Sequence, residues 1–490
     1  MRLLTLVHRW LGILFCMLFA MWFASGIVMY FVPFPALTEA DRIRGLAPLD
    51  MSGVLHGPAE AVKASGRPDV TRVRLLQRSD GPVYLLSGAS GVTAFRAEDL
   101  ANAAVGSKEL AVSIAVDHAR RRGKDVTRAN SAVADLVVLD QWTVAGDLDR
   151  YRPLYRVALG DEPGTELYVS AVSGEVVRGT TRFERRWNYI GSVAHWIYPV
   201  VLRSRPAIWN ATVWWLSLAA VTGAVAGSLL GILRMKVARY RLVSPYANWH
   251  WWHHVLGLFC MAFVLTWIFS GWLSMYSGRL FSTGKPTGEE MAVIAKAPAW
   301  ETVSPQGWPA SAQTREVEWF ALDGKLYRRE RTGLATQLLF SGDGEAHPPS
   351  KFLGPREVSE FVDRFASGCK TPFVVDADDN YAIASVVPGA PVYRSVCGDV
   401  WFDIDGADGV MRERLDSSRR AYRWLYGALH TLDIPALASR PALRGALIVI
   451  LCGFGFLFSL TGIVIGWRRL TLSVAAASRI EDVTSKAPRL

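Results

Sequence analysis

The chain has 490 residues, a formal net charge of +10, 51% hydrophobic residues and 19 tryptophans. That composition points to a membrane protein rather than a soluble enzyme. The basic residues form no dense tract and no nucleic-acid motif, which excludes a nucleic-acid partner, and five cysteines without C-x-x-C spacing exclude a disulfide scaffold or zinc ribbon.

Four runs are long and apolar enough to cross a bilayer, which takes roughly 20 residues. They are predicted at Leu11 to Val32, Trp209 to Leu233, His254 to Tyr276 and Leu443 to Trp467. The first is too long for a signal-peptide core, and no A-x-A cleavage site follows it. Lys and Arg in short loops mark the cytoplasmic side. The loop over 234–253 carries Arg234, Lys236, Arg239 and Arg241, the chain start carries Arg2 and Arg9, and the tail over 468–490 opens with Arg468 and Arg469. With four spans, all three sites share one face, so both termini are expected inside and the segments 33–208 and 277–442 outside.

Those segments read as α+β modules. Alternating strands closed by glycine turns run through VYLLSGASGVTAF, LYRVALGDEPGTELYVSAVSGEVV, VEWFALDGKLYRRE and VWFDIDGADGVM. Helices are predicted at Lys108 to Arg122 and Pro355 to Ser367. Cys369 and Cys397 stand ready to pair if this side is oxidising, or remain two separate thiols.

The chain repeats itself. HRWLGILF from His8 aligns with HHVLGLF from His253, and one offset pairs His8 with His253, Gly12 with Gly257, and Ser25-Gly26 with Ser270-Gly271. A second stretch repeats too: RWNYIGSVAH ending at His195 resembles RWLYGALH ending at His430, and Ser204-Arg205-Pro206 matches Ser439-Arg440-Pro441. Each half is therefore span, outer module, His-bearing segment, span. The two halves run in the same direction, so they are expected to pack about a pseudo-two-fold axis along the membrane normal. A histidine facing that axis meets its counterpart.

Nine histidines are present. His56, His118 and His347 lie in the outer segments without a partner motif and read as solvated or locally bonded. His8 and His253 form one repeat-related pair at the inner face; His195 and His430 form another at the outer face. Ionisable residues at membrane depth are expensive and mark function. Haem iron takes one axial ligand on each side of a flat ring, a role neutral imidazole fills well. Zinc is a poorer match, because no carboxylate or cysteine accompanies either pair. A proton relay is another rival, but the spans lack Asp and Glu. His250 and His254 crowd beside His253, so the inner ligand of the second half stays open among the three. Arg9, Arg205 and Arg440 sit near the pairs and are candidates for haem propionates or lipid headgroups. The tryptophans suit an interfacial aromatic belt.

The H-x-x-x-G starts of spans one and three, the later S-G, and the strand-turn-strand stretches YVSAVSGEVV and WFDIDGADGV resemble PepSY-associated transmembrane proteins. That group includes inner-membrane ferric-siderophore reductases and iron-regulated membrane proteins. The resemblance covers nearly the whole chain. It implies a four-helix bacterial inner-membrane protein carrying two b-type haems, with PepSY modules in the periplasm and electron transfer outward to a ferric siderophore or other ferric chelate. It assigns His8 and His253 to an inner haem and His195 and His430 to an outer one. The chain departs from the pattern in the extra His250 and His254, and in unequal Trp-to-His spacing (Trp187 to His195 against Trp424 to His430). Some relatives carry a fused flavin reductase domain; here a separate cytoplasmic or membrane donor is expected. Two other functions fit the same sequence: a membrane-anchored binding or chaperone-like protein whose histidines are structural, and a haem or metal transporter.

Overall fold

The computed structural model describes residues 1–124, 126, 132–238, 241–276, 279–303, 311–341 and 348–485; Arg239 and His347 lie outside the described residues. The chain divides into two compact units. One comprises Met1–Phe34, Arg186–Phe281 and Ala421–Leu490; the other comprises Pro35–Arg185 and Ser282–Arg420.

The first unit is built on four long helices: α1 (Arg2–Phe31), α2 (Pro206–Leu233), α3 (Asn248–Leu273) and α4 (Pro441–Ser485). All four are long and apolar enough to cross a membrane, α4 over Pro441–Leu472. Helices α2 and α4 both begin with proline, whose fixed φ suits the first helical position and whose missing N–H is no loss there. Helix α1 packs against α2 and α4, and so does α3. The shared core joins Phe15 and Phe23 of α1 to Ala220 of α2, Cys260, Val264 and Trp267 of α3, and Cys452 of α4. Without a hydrophobic drive between helices in lipid, close approach depends on small residues. Glycines 223, 227 and 231 supply them, one turn apart on α2.

The second unit holds three antiparallel sheets. Strands β1 (Val70–Arg78), β2 (Gly81–Gly88) and β3 (Gly91–Arg96) come from the first segment between the spans. Strands β4 (Val133–Val137), β5 (Leu154–Ala158), β6 (Glu166–Ser170) and β7 (Val176–Thr180) form a four-stranded sheet backed by the Lys108–Arg121 helix. From the second segment come β8 (Glu316–Leu322), β9 (Lys325–Arg331) and β10 (Gln337–Ser341), then β11 (Phe373–Val374), β12 (Val392–Cys397), β13 (Val400–Asp405) and β14 (Met411–Leu415), the last four forming another sheet.

The two segments between the spans, 33–208 and 277–442, are not separate bodies. Strand β1 pairs with β8, with Arg74 opposite Glu318, making one six-stranded sheet in the order β10-β9-β8-β1-β2-β3. Buried charges tie the seam. Glu318 bonds Arg72 at 2.7 Å and contacts Arg329, and Glu316 bonds Arg42 at 2.6 Å. Burial pushes the Glu318 carboxyl up, but Arg329 and Arg72 outweigh it and hold the group down at about 2. Cys369 and Cys397 are joined by a disulfide. The predicted helix from Pro355 is shorter than expected and ends at Val362.

Candidate functional site

Four histidines of the helical unit meet in two pairs. The rings of His8 and His253 have centroids 6.2 Å apart, and those of His195 and His430 have centroids 6.3 Å apart. His8 lies on α1 and His253 on α3. The other two sit in short segments just before α2 and α4, and both segments are built alike. Each contains a π-helical stretch, Tyr189–Val193 and Arg423–Ala428, shortly before the histidine; such turns recur at functional sites. Each has a non-glycine residue with positive φ two positions after the histidine, Ile197 at +48° and Leu432 at +52°. For β-branched Ile197 this is a strained conformation. The unequal Trp-to-His spacing has a local cause: the backbone kinks at Gly191 and takes up the longer stretch.

The hydrogen bonds fix which ring nitrogen carries the proton. Ser25 donates its hydroxyl proton to the carbonyl of Trp22 at 3.1 Å, and its oxygen lies 3.0 Å from His195 Nδ1. A hydroxyl has one proton to give. With that proton on the Trp22 carbonyl, the Ser25 oxygen accepts from His195 Nδ1–H, and Nε2 is left with its lone pair. The second half repeats this. Ser270 donates to the carbonyl of Trp267 at 3.1 Å and accepts from His430 Nδ1 at 3.1 Å. That same Nδ1 also faces the Trp267 carbonyl at 3.3 Å, an acceptor only. At the inner pair, Thr461 donates to the Phe458 carbonyl at 2.6 Å and accepts from His253 Nδ1 at 2.9 Å. His8 Nδ1 donates to the Gly223 carbonyl at 3.3 Å. His8 and His430, whose Nδ1 faces a carbonyl, carry the proton there, and the hydroxyl contacts of His195 and His253 suit the same tautomer. Among the described residues none of the four Nε2 atoms makes a hydrogen bond. This is the tautomer of a metal-ligating histidine, with the far nitrogen oriented by a second group.

His254 is different. Its Nε2 lies 2.8 Å from the Gly231 carbonyl and must donate, while Nδ1 accepts from Ser244 at 2.8 Å. Both nitrogens are used, and the proton sits on the opposite one. His254 links Ser244, just after the Arg241–Val243 strand, to Gly231 of α2. His250 is exposed on α3.

Glycines make room for the rings. A Cβ on Gly227 would come 2.5 Å from the His8 ring, and one on Gly462 would lie 3.6 Å from that of His253. Gly26 and Gly271 stand beside His195 and His430 in the same way, at 3.8 and 3.3 Å. The inner pair opens on a cavity of about 520 Å³ lined by seven glycines, by His250, and by Arg9, Arg234 and Arg469, with no carboxylate among its described lining residues. Arg205 and Arg440 make no described contact with His195 or His430; both are exposed and immediately precede the prolines that start α2 and α4. The match of their surroundings in the repeat reflects a shared helix start.

A family model described as "PepSY-associated TM region" matches residues 5–469. The chain belongs to this family. No curated protein matches it. For this PepSY-associated protein the matched span includes both histidine pairs and every residue that holds them. Sequence reasoning found the four histidines and the Ser-Gly pairs through the repeat, and missed Thr461, Gly223, Gly227 and Gly462. A signal existed: TGAVAG at 222–227 and TGIVIG at 461–466 share T-G-x-V-x-G at one offset. Arg234 and Arg469 had a meaning only for topology until the cavity brought them together with Arg9.

Proposed function

We propose that the protein is a bacterial inner-membrane electron-transfer protein that holds two b-type haems and reduces a ferric chelate, such as a ferric siderophore, on the periplasmic side. The observation that carries this is the shared tautomer. Four half-buried imidazoles, in two facing pairs, all leave Nε2 without a hydrogen bond among the described residues.

The donor set fits haem. Among the described residues no group of three or more His, Cys, Asp or Glu gathers as a metal site. Two imidazoles alone suit an iron whose other ligands come from a macrocycle. An imidazole nitrogen binds a first-row metal at roughly 2.0 Å, so rings with centroids roughly 6 Å apart would leave room for one metal ion between them. The pairs stand at 6.2 and 6.3 Å. The inner cavity falls within the usual range for small-molecule sites. Its glycines leave flat space beside the rings, and its three arginines suit two propionates.

In this reading His8 and His253 are the inner ligands and His195 and His430 the outer ones. His254 only links Ser244 to α2, and His250 stands at the inner cavity. When bound, haem supplies a one-electron Fe(III)/Fe(II) couple. The chain's own part is to hold the imidazoles in the ligating tautomer, exclude water with Phe15, Phe23 and Trp267, and space the two sites along the helices. From His8 to Ser25, which touches His195, α1 rises roughly 26 Å. An electron delivered at the inner face by a separate donor, soluble or membrane-borne, passes to the outer face and to the chelate. Reduction weakens the hold of hard oxygen ligands on iron. The repeat supports a two-fold arrangement of the halves. The inner arginines support cytoplasmic termini, and the disulfide suits a periplasmic location for the sheet unit.

The test is a visible spectrum with haem stoichiometry on the purified full chain. Two b-type haems per chain, reoxidised by ferric chelate after reduction, are expected. Protein that stays colourless after expression with ample haem would leave the histidines a structural role and overturn the reading.

A further inference from the structure

Trp22-x-x-Ser25-Gly26 and Trp267-x-x-Ser270-Gly271 are the same five-residue unit in the two halves, W-x-x-S-G. Each serine is buried, 1% and 0% exposed, in the last two turns of its helix. Each spends its proton on the tryptophan carbonyl one turn back, which leaves its oxygen as an acceptor aimed at a histidine of its own half. The glycine that follows lies beside the same ring, where an added Cβ would come 3.8 Å from His195 and 3.3 Å from His430. The inner pair has no such matched fixture: one ring leans on Thr461 and the other on the Gly223 carbonyl at 3.3 Å.

We propose that Ser25 and Ser270 are positioning residues that set the reduction potential of the outer site, by holding His195 and His430 as Nδ1–H donors with Nε2 turned to the iron, and that Thr461 does this for the inner site through His253. The inference rests on the two-haem reading. An imidazole that gives its Nδ1–H to an acceptor becomes a more basic ligand at Nε2. A more basic ligand favours ferric over ferrous iron and lowers the potential. Removing the acceptor therefore raises the potential, with no change in the ligands themselves.

The experiment is a spectroscopic redox titration of the purified, haem-loaded full chain. Ser25→Ala and Ser270→Ala each keep both haems and shift the midpoint of the same one upward, by about tenfold in the Fe(III)/Fe(II) ratio, or about 59 mV for one electron. Thr461→Ala shifts the other haem and leaves the first alone. Ser25→Thr, which keeps a hydroxyl with the same choice of partners, returns the midpoint toward that of the wild type. Serine variants with both midpoints unmoved overturn the inference while leaving the haem reading intact. Serine and threonine variants that move the same haem overturn it as well, because the two fixtures would then not belong to separate sites. A wild-type chain without haem brings down the reading and the inference together. Should Ser25→Ala not accumulate, Ser25→Cys, a weaker acceptor of nearly the same size, is titrated instead and shows a smaller upward shift.

Discussion

The His195–His430 pair, proposed as the outer site, and the His8–His253 pair, proposed as the inner one, are held by different means. At the outer pair both halves use one device, a buried serine that accepts from Nδ1 at 3.0 and 3.1 Å with a glycine beside the ring. At the inner pair the devices diverge into a threonine hydroxyl and a backbone carbonyl. The inner pair also opens on a cavity lined by three arginines. A duplicated unit keeps its two copies alike where both serve one task in one way. It lets them drift where the surroundings differ. Here one inner ring faces Gly227 so closely that no side chain fits.

The strongest way to break this comparison is to remove one ligand at a time. His195→Ala and His430→Ala are each expected to halve the haem content and to spare the inner site. His8→Ala and His253→Ala do the reverse. Pyridine haemochrome assays on the four purified variants check it; loss of both haems from any one variant would show that the pairs are not independent.

The next largest effect separates the pairs by the room around each ring. Gly227→Ala drives a Cβ to 2.5 Å from the His8 ring, with the rigid helix behind it, so the inner haem is lost or reduced to a minor fraction. Gly26→Ala makes only an ordinary 3.8 Å contact with His195, and the outer haem remains. Equal haem loss in the two variants would remove the steric distinction.

A smaller effect sharpens the inner assignment. His254→Gln breaks the link from Ser244 to the Gly231 carbonyl, at a cost of about 1–3 kcal/mol for the groups left unpaired. The low-spin spectrum stays, because His254 never offers a bare Nε2. His250→Gln also leaves it unchanged. If either variant loses the bis-imidazole spectrum, the tautomer argument has picked the wrong residue.

Much of this was legible in the sequence, for physical reasons that differ by region. The spans are visible because lipid demands an unbroken apolar run. Their ends are less so: α1 begins at Arg2 and α3 at Asn248, since both helices continue into polar and aromatic residues that a run-length criterion cuts off. The ligand pairs are visible because two copies of one motif name each other. The shared sheet is not. Strands β1 and β8 alternate as strands should, but nothing local says that each is the other's partner across about half the chain. Nor does anything local say that Glu316, Glu318 and Arg329 are buried there in ion pairs, Glu318 with Arg72 and Arg329, and Glu316 with Arg42. Thr461 escaped because a hydroxyl in a helix usually bonds its own preceding turn. It does so here, and its second lone pair is what matters.

His118 is the control for the whole comparison, and its effect on haem should be nil. It is more deeply buried than the four half-buried histidines, at 6% exposed, yet it belongs to the sheet unit, faces no second histidine ring among the described residues, and packs against Gly45, where a Cβ would come within 2.0 Å. Its Nε2 has no partner among the described residues. Burial, with Arg122 adding to it, holds its pKa down at about 4. In the unfolded chain it titrates near 6.5. As pH falls below that value the unfolded chain takes up a proton that the folded chain refuses, so folding stability is lost between about 6.5 and 4, by up to about 1.4 kcal/mol per pH unit. His118→Phe keeps a flat ring against Gly45 and removes the proton. The variant should bind haem as the wild type does and should show a flatter fall in thermal stability between pH 7 and 4, measured on the full chain. If it instead loses haem, burial alone would be enough to make a histidine matter to the cofactor, and the bare, paired Nε2 would no longer be what distinguishes the four ligands.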